Sequence, residues 1–452
     1  MDLEAAATRA VEAAIGAGAG DAEAYVVEDA GREVRVHGGE VESLTAATER
    51  GVGIRAWNEG RVGYAYGTDL TEAGLAEVAA RAAEGSRIAD VDEFAAPPEP
   101  GAGDAGEPIE GLCDPSVSGS DAGRVAAIAL AVERAALEAD ERIAGVEQAV
   151  YADSSERVAI RSSTGVVGGF EASSCYAFLQ AMAEGDGSRE TGLGFGLARG
   201  PDGLEPRQIG REAAQRAVSM IGASKPDSRA CPVVLDPTVA ASFAGLIGST
   251  LGADSVQRGR SPFAERLGEE VASAALVLHD DGLDPAGLAS SPFDGEGVPR
   301  RRTALISGGR LRTFLHDTYT ARRGGSTSTA SAGRSGYRST PSVSASNLVI
   351  GEGEFDFAGL LAAAGEGVYV TDVAGLHSGV NPVSGVFSVG ASGRLISSGE
   401  LADPVREFTI ASDLVSMLRA VRAAGAKARW VPFGGSVRAP NLLVGEMTVS
   451  GA

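Results

Sequence analysis

One pattern constrains the fold of this chain more than any motif in it. Through the first half, a helical period, a series of strand-like segments and a second helical period occur in that order, twice. Residues 2–17 place apolar side chains at helical spacing and stop at Gly16-Ala-Gly-Ala-Gly20. Strand-like segments follow at Glu23–Glu28, Glu33–His37 and Val52–Trp57, and Asn58-Glu-Gly60 turns the chain into Arg61–Tyr66. Thr71 then caps a helix that reaches Glu84. The second round opens with an alanine-rich helix, Asp121–Glu141. It continues through strands near Ala144–Ala152, Arg157–Ser162, Ser173–Glu184 and Thr191–Ala198 to a helix over Pro206–Ile221. Each round is thus expected to hold four strands. The two share little residue identity, so a structural duplication and a coincidence of two similar units both stay open.

Between the rounds, Ala95–Ser120 is rich in Pro, Gly and acids and has no period, which predicts a linker or a long surface loop. The character changes at Cys231. Cys231–Leu235 is an apolar strand and Pro237–Leu251 a buried helix. Short strands then alternate with Gly/Ser/Thr loops, the longest being Gly324–Ser346, and an amphipathic helix near Asp413–Ala424 precedes a terminal strand pair. The expected fold class is α+β: two helix–β-meander–helix units, then a mainly β half with long Gly/Ser-rich loops. The expected division is 1–90, a linker over 91–120, 121–225 and 230–452.

Formal charge is −22, from 39 Lys and Arg against 61 Asp and Glu. Such a surface repels phosphate backbones, so nucleic acid is not an expected partner. Arg300-Arg301-Arg302 and Arg322-Arg323 are short basic runs without interleaved aromatics and read as solvated loops. The acidic N-terminus lacks the basic residues of a signal peptide, and no stretch reads as a membrane span. Cys113, Cys175 and Cys231 are odd in number and widely spaced, which suits a reducing cytoplasm.

The candidate chemistry is sparse. His37 sits beside a Gly-Gly turn. His279 begins His-Asp-Asp-Gly, where the preceding alternation says strand and the following residues say turn; a zinc site would need a second His or a Cys pair nearby. His316-Asp317 and His377-Ser378 are neighbours in sequence. On strands they would point to opposite faces and form no dyad. Glu269-Glu270 and Asp280-Asp281 read as solvated surface, and Cys231 as inert packing in a buried strand. Gly192-x-Gly-x-Gly196 lies within a strand pattern and reads as a series of bends, not a dinucleotide loop. No cofactor is implied for this chain. The most site-like stretch is Ala374–Gly390, with His377, Ser378, Asn381 and Ser384 among glycines. These four are candidates to line a cavity or contact a peptide, against the plainer reading that they satisfy the loop's own backbone.

Several segments together resemble one family. They are Gly39-Glu-Val-Glu-Ser-Leu44 with Arg50-Gly-Val-Gly-Ile-Arg-Ala56, Ser291-Pro-Phe-Asp-Gly-Glu-Gly-Val-Pro-Arg-Arg-Arg-Thr303 and Leu315-His-Asp-Thr-Tyr-Thr-Ala-Arg322. Gly375–Gly385 and the ending Pro440-Asn-Leu-Leu-Val-Gly-Glu-Met-Thr-Val449 complete the set. The chain resembles the TldD/PmbA family over nearly its whole length, and specifically its PmbA (TldE) branch. The resemblance implies a heterodimeric zinc peptidase that trims short or unfolded peptides. In that pair a TldD-like partner carries a helical His-Glu-x-x-x-His motif and a Cys ligand. Carried onto this sequence, the motif positions fall at Ala244, Gly245 and Ser249, and the Cys position at Ala424. A methyl, a bare backbone and one hydroxyl supply neither ligands nor base, so zinc is expected on the partner and this chain is expected to be a non-catalytic subunit. Two other readings remain open: a stand-alone hydrolase or amide-processing enzyme with a non-zinc mechanism, using His377, Ser378 or Cys231, and a regulatory protein-binding factor of the gyrase-modulator type. A homodimer is compatible with each.

Overall fold

The computed structural model describes residues 2–99, 106–433 and 435–452. The first round comprises α1 (Leu3–Gly16), β1 (Asp21–His37), β2 (Glu40–Asn58), β3 (Arg61–Gly67) and α2 (Glu72–Ile88). A single turn, α3 (Ser116–Gly119), precedes the second: α4 (Ala122–Leu137), β4 (Ile143–Ser162), β5 (Val167–Gly185), β6 (Ser188–Ala198) and α5 (Pro206–Val218). Each round therefore holds three strands where the sequence suggested four. The polar stretches Asp29–Arg32 and Asp153–Glu156 look like breaks, yet strands on both sides hold them in the ladder. Gly31, for instance, stands opposite Ala47 of β2 and Ser154 of β4.

The six strands form one antiparallel sheet in the order β3-β2-β1-β4-β5-β6, so the two rounds meet at β1 and β4 and mirror each other outward. All four long helices cover one face, where Ala22, Ala24, Val26, Val34 and Val36 of β1 are buried against them. Tyr25 and Val27 point to the other face and pack with Phe293 and Tyr337 of the C-terminal half. The Gly192–Gly196 series serves close packing and not bending. A Cβ on Gly192 would lie 2.2 Å from the Ala217 nitrogen, and one on Gly194 2.1 Å from the Ile209 oxygen, because α5 rests directly on β6. Gly63 on β3 makes the same contact with α2, at 2.1 Å from the Ala82 oxygen.

The linker segment holds to the surface where it is described. Asp92 N–H donates to Gly60 O at 2.7 Å, and Arg32 donates to Val117 O and Ser120 O. Residues 100–105 of the expected linker lie outside the described residues.

The C-terminal half begins with β7 (Arg229–Leu235), α6 (Pro237–Thr250), α7 (Ala253–Gln257), β8 (Leu278–Asp281), β9 (Arg302–Ser307) and β10 (Arg310–Leu311). Next come α8 (Thr318–Arg323), β11 (Ala332–Gly333), β12 (Ser342–Val343), β13 (Asn347–Ile350) and α9 (Phe357–Ala364). The last elements are β14 (Gly367–Ala374), β15 (Val386–Ser397), β16 (Glu400–Asp413), α10 (Leu414–Arg419), β17 (Val421–Val431) and β18 (Ser436–Ser450). β7 pairs with β14, β14 with β15, β15 with β16, β16 with β18, and β18 with β7, so these five strands close a ring. The expected helix at Asp413–Ala424 is a correction. Asp413 caps only the six residues of α10, and Val421 onward joins β18 as a strand, with Val421 opposite Val444.

Candidate functional site

Helix α6 is the element on which the resemblance places a catalytic motif. Asp236 caps it, its Oδ1 accepting from Thr238 N–H at 2.9 Å, and Pro237 fits the first turn, where no N–H is needed. Val239, Phe243 and Ile247 sink one face into the C-terminal core. The other face borders a cleft of about 330 Å³ lined by Gly245, Gly248, Ser249 and Gly252, facing Ser344–Ser346 and Ser436. Its hydroxyls are already engaged. Ser249 Oγ donates to Leu246 O at 2.7 Å, Ser346 Oγ to Asp280 at 2.8 Å, and Ser436 Oγ accepts from Leu288 N–H at 3.0 Å. No acid, base or thiol lines this cleft among the described residues.

A zinc ion needs three protein donors, which these residues do not offer. Ala244 and Ala424 are buried in the apolar core, at 2% and 4% exposure, and Gly245 and Ser249 face the cleft with a single, already bonded hydroxyl between them. Among the described residues no three His, Cys, Asp or Glu side chains gather where they could hold a metal.

His377, Ser378, Asn381 and Ser384 all sit exposed on the loop joining β14 to β15. Three of them serve the loop's own backbone. Asn381 Oδ1 accepts from Val383 N–H at 2.9 Å and Ser384 N–H at 3.1 Å, Ser384 Oγ accepts from Val386 N–H at 3.3 Å, and Ser378 Oγ donates to Gly375 O at 3.4 Å. Each of these bonds closes within the loop itself. Cys231 is buried in β7 opposite Met447, and burial pushes its thiol up, away from the thiolate a nucleophile needs.

Two expectations about acids and histidines need correction. Asp280 is not solvated surface: it is 3% exposed on β8, and its Oδ1 accepts from both the N–H and the hydroxyl of Ser346 at 2.8 Å. Burial raises its carboxyl to about 6. The adjacent His279 is also buried on β8, and burial and Arg302 hold its imidazole down at about 4. His316 and Asp317 follow β10 without belonging to a strand. Asp317 caps α8, its Oδ1 accepting from Thr320 N–H at 2.7 Å.

The strongest electrostatic feature went unseen in the sequence. Glu23 of β1 and Arg55 of β2 are direct cross-strand partners, and Arg55 donates to Glu23 at 2.5 and 3.1 Å and to Glu296 at 3.1 Å. Arg334 from the C-terminal half also reaches Glu23 and donates to Gly295 O at 2.6 Å. Glu23 is wholly buried. Burial alone would raise its carboxyl, but Arg55 and Arg334 hold it below the ordinary range. Nearby Asp294 accepts three backbone N–H bonds, from Glu296, Val298 and Ala332, yet burial and Glu296 push its carboxyl well up. The segment Ser291–Thr303, so distinctive in sequence, is therefore the clamp between the N-terminal sheet and the C-terminal half. One signal was available: Glu23 and Arg55 are lone charges inside apolar strand runs.

Three models of one family match successive parts of the chain. The PmbA/TldA metallopeptidase domain 1 matches residues 22–86, its central domain 117–221 and its C-terminal domain 228–451. The chain is 29% identical to the metalloprotease PmbA of Escherichia coli O157:H7, over 99% of this chain and 96% of that protein. It is 27% identical to the PmbA homolog of Haemophilus influenzae, over 100% and 96%. A Thermotoga maritima structure, described as a candidate modulator of a DNA gyrase, superposes with a TM-score of 0.90 at 27% identity, covering 99% of this chain and 100% of that one. TldE of Thermococcus kodakarensis shares the fold, with a TM-score of 0.91 at 21% identity and coverage of 99% and 100%. With three consecutive domains matched and full-length relatives, the chain belongs to the PmbA/TldD metallopeptidase family.

Proposed function

We propose that this chain is the non-catalytic subunit of a two-subunit TldD/TldE-type zinc metallopeptidase, in which a TldD-like partner holds the zinc and short or unfolded peptides are trimmed. One observation carries this reading: the motif positions on α6 offer a buried methyl at Ala244, a bare backbone at Gly245 and one already bonded hydroxyl at Ser249 where hydrolysis would need ligands and a general base. The cleft remains suited to backbone contact, since Gly245, Gly248 and Gly252 let an extended chain approach closely. This subunit then contributes walls to a shared chamber and leaves the chemistry to its partner. Peptidase activity on an unstructured peptide tests the reading, with the chain alone and mixed with a TldD-like partner, each with and without a zinc chelator. Activity confined to the mixture and abolished by chelator is the expected result. Chelator-resistant cleavage by the purified chain alone would overturn it.

A further inference from the structure

The cleft over α6 does not end at the serines that face it. Ala289 and Ser344–Ser346 also line a second cavity of about 240 Å³, bounded by the N-terminal sheet and the C-terminal half together. Tyr25 and Glu156 line it from the sheet, and Phe170 and Phe293 meet edge to face in its wall at 5.3 Å. Tyr25 is 7% exposed, yet among the described residues its hydroxyl has no hydrogen-bond partner. Strand alternation puts Tyr25, Val27 and Asp29 on one face of β1, and Asp29 stands directly opposite Glu156 of β4. Like charges so placed repel each other. Burial and Asp29 together push the half-buried Glu156 carboxyl up. Neither acid has an ion-pair partner among the described residues, because Arg157, next to Glu156, and Arg50 both pair with Glu28 on the other face. The two cations lining the cavity are already engaged. Arg334 pairs with Glu23 and lies 4.6 Å over the Tyr25 ring. Arg300 donates to Ala330 O at 2.8 Å, and its charge is offset by the buried carboxyls of Asp280 and Asp294. What the cavity leaves over is one unpaired carboxylate, one unpaired hydroxyl and an aromatic wall.

We propose that this cavity is a subsite for a primary ammonium group, a lysine side chain or the N-terminus of a peptide lying in the α6 cleft. Glu156 pairs with the ammonium, and the Tyr25 hydroxyl oxygen accepts one of its N–H bonds. Phe170 and Phe293 cover the apolar stem behind the charge. A cation at that point also relieves the repulsion between Glu156 and Asp29. A divalent metal suits the cavity poorly, since among the described residues no three acids, histidines or cysteines gather to ligate one. The inference rests on the cleft being the peptide path of the proposed function, and it adds a substrate preference to that reading.

Calorimetric titration of the full chain with three tetrapeptides tests it. They are acetyl-Ala-Ala-Lys-Ala-amide, Ala-Ala-Ala-Ala-amide with a free N-terminus, and the neutral acetyl-Ala-Ala-Ala-Ala-amide. The expected result is that at least one ammonium peptide binds about tenfold or more tighter than the neutral one, and which of them does so identifies the source of the charge. Glu156→Gln should erase that preference and Tyr25→Phe should reduce it about fivefold. Melting curves show whether the variants are folded, and the comparison of peptides on the wild-type chain needs no variant. Equal affinity for the three peptides, no binding of either ammonium peptide below about 10 mM, or a preference that survives Glu156→Gln each overturns the proposal. If chelator-sensitive cleavage of the neutral peptide by the mixture with a TldD-like partner persists in that case, only the subsite has failed. An ammonium preference without any cleavage by the mixture would instead count against the peptidase reading alone.

Discussion

Replacing Arg55 by Met keeps most of the side-chain stem and removes the guanidinium from the clamp between the two halves. Arg55 makes three hydrogen bonds there, two to Glu23 and one to Glu296, and its side chain is 10% exposed. Glu23 keeps Arg334, but Glu296, at 2% exposure, loses the cation it is bonded to. Breaking a buried pair from one side costs about 3–5 kcal/mol, because the remaining charge stays desolvated. Since Glu23 retains a partner, the lower half applies, about 3–4 kcal/mol. The double variant Arg55→Met/Glu296→Gln removes both charges, while the carboxamide oxygen it introduces can still accept from Thr318 N–H. It should therefore recover at least about 1 kcal/mol relative to the single variant. Urea denaturation in a Trp430→Phe background, followed through Trp57, which lies 4.9 Å under the Arg55 guanidinium, reads the transition of the N-terminal sheet. A single-variant loss below about 1 kcal/mol, or a double variant weaker than the single, would refute the clamp. The wild type should also weaken in acid. Glu23 has a depressed folded value, so its contribution is present above the ordinary carboxylate range and is lost as pH falls through that lower value.

Other outcomes follow from the same geometry. Asp280, with its folded value raised to about 6, binds its proton more tightly when folded, so its term favours folding as pH falls from about 6 toward 4; His279, lowered to about 4, opposes folding across the window from 6.5 to 4. Asp280→Asn should therefore stabilise the protein at pH 8, by up to about 3 kcal/mol, and expose a His279-driven loss between pH 7 and 5 in thermal melts. Equal slopes in the two proteins would contradict this. Glu133→Ala should cost about 1–3 kcal/mol by leaving two turn amides unpaired, and hydrogen exchange at Gly38 and Gly39 should accelerate while that of α5 does not. Gly192→Ala drives a methyl into the α5 backbone and should cost about 3 kcal/mol, seen as a lowered melting temperature. An unchanged melt would mean that α5 stands off the strand.

Much of the architecture was legible because it is local. The apolar run Cys231–Leu235 and the helix that follows it needed no distant partner to be read, and neither did the capped helix after Thr71. Strand counts failed where continuity depends on neighbours remote in sequence: Asp153–Glu156 stays extended because β1 and β5 flank it. The helix before Ala424 failed for the same reason, since Val421 finds Val444. The acid at Asp280 looked solvated beside Asp281 and Gly282, and only its burial between β9 and β13 reverses that. At the site, the lack of donors along α6 was visible in the letters, whereas the clamp of Glu23, Arg55, Glu296 and Arg334 joins residues from both ends of the chain and could be assembled only in three dimensions.

The ladder between β1 and β4 runs from Glu23 opposite Ser162 to Val36 opposite Ala149. Its two strands are separated in the chain by all of β2, β3, α2, α3 and α4. During synthesis the first round therefore emerges with one flank of its central strand unmated, and the sheet can close only after those five elements and β4 itself have appeared. Contacts of such sequence separation are slow to form and leave strand edges open to wrong partners meanwhile. The repeat that gives the domain its symmetry thus makes each half the other's chaperone: neither strand set completes its hydrogen bonding until its counterpart arrives.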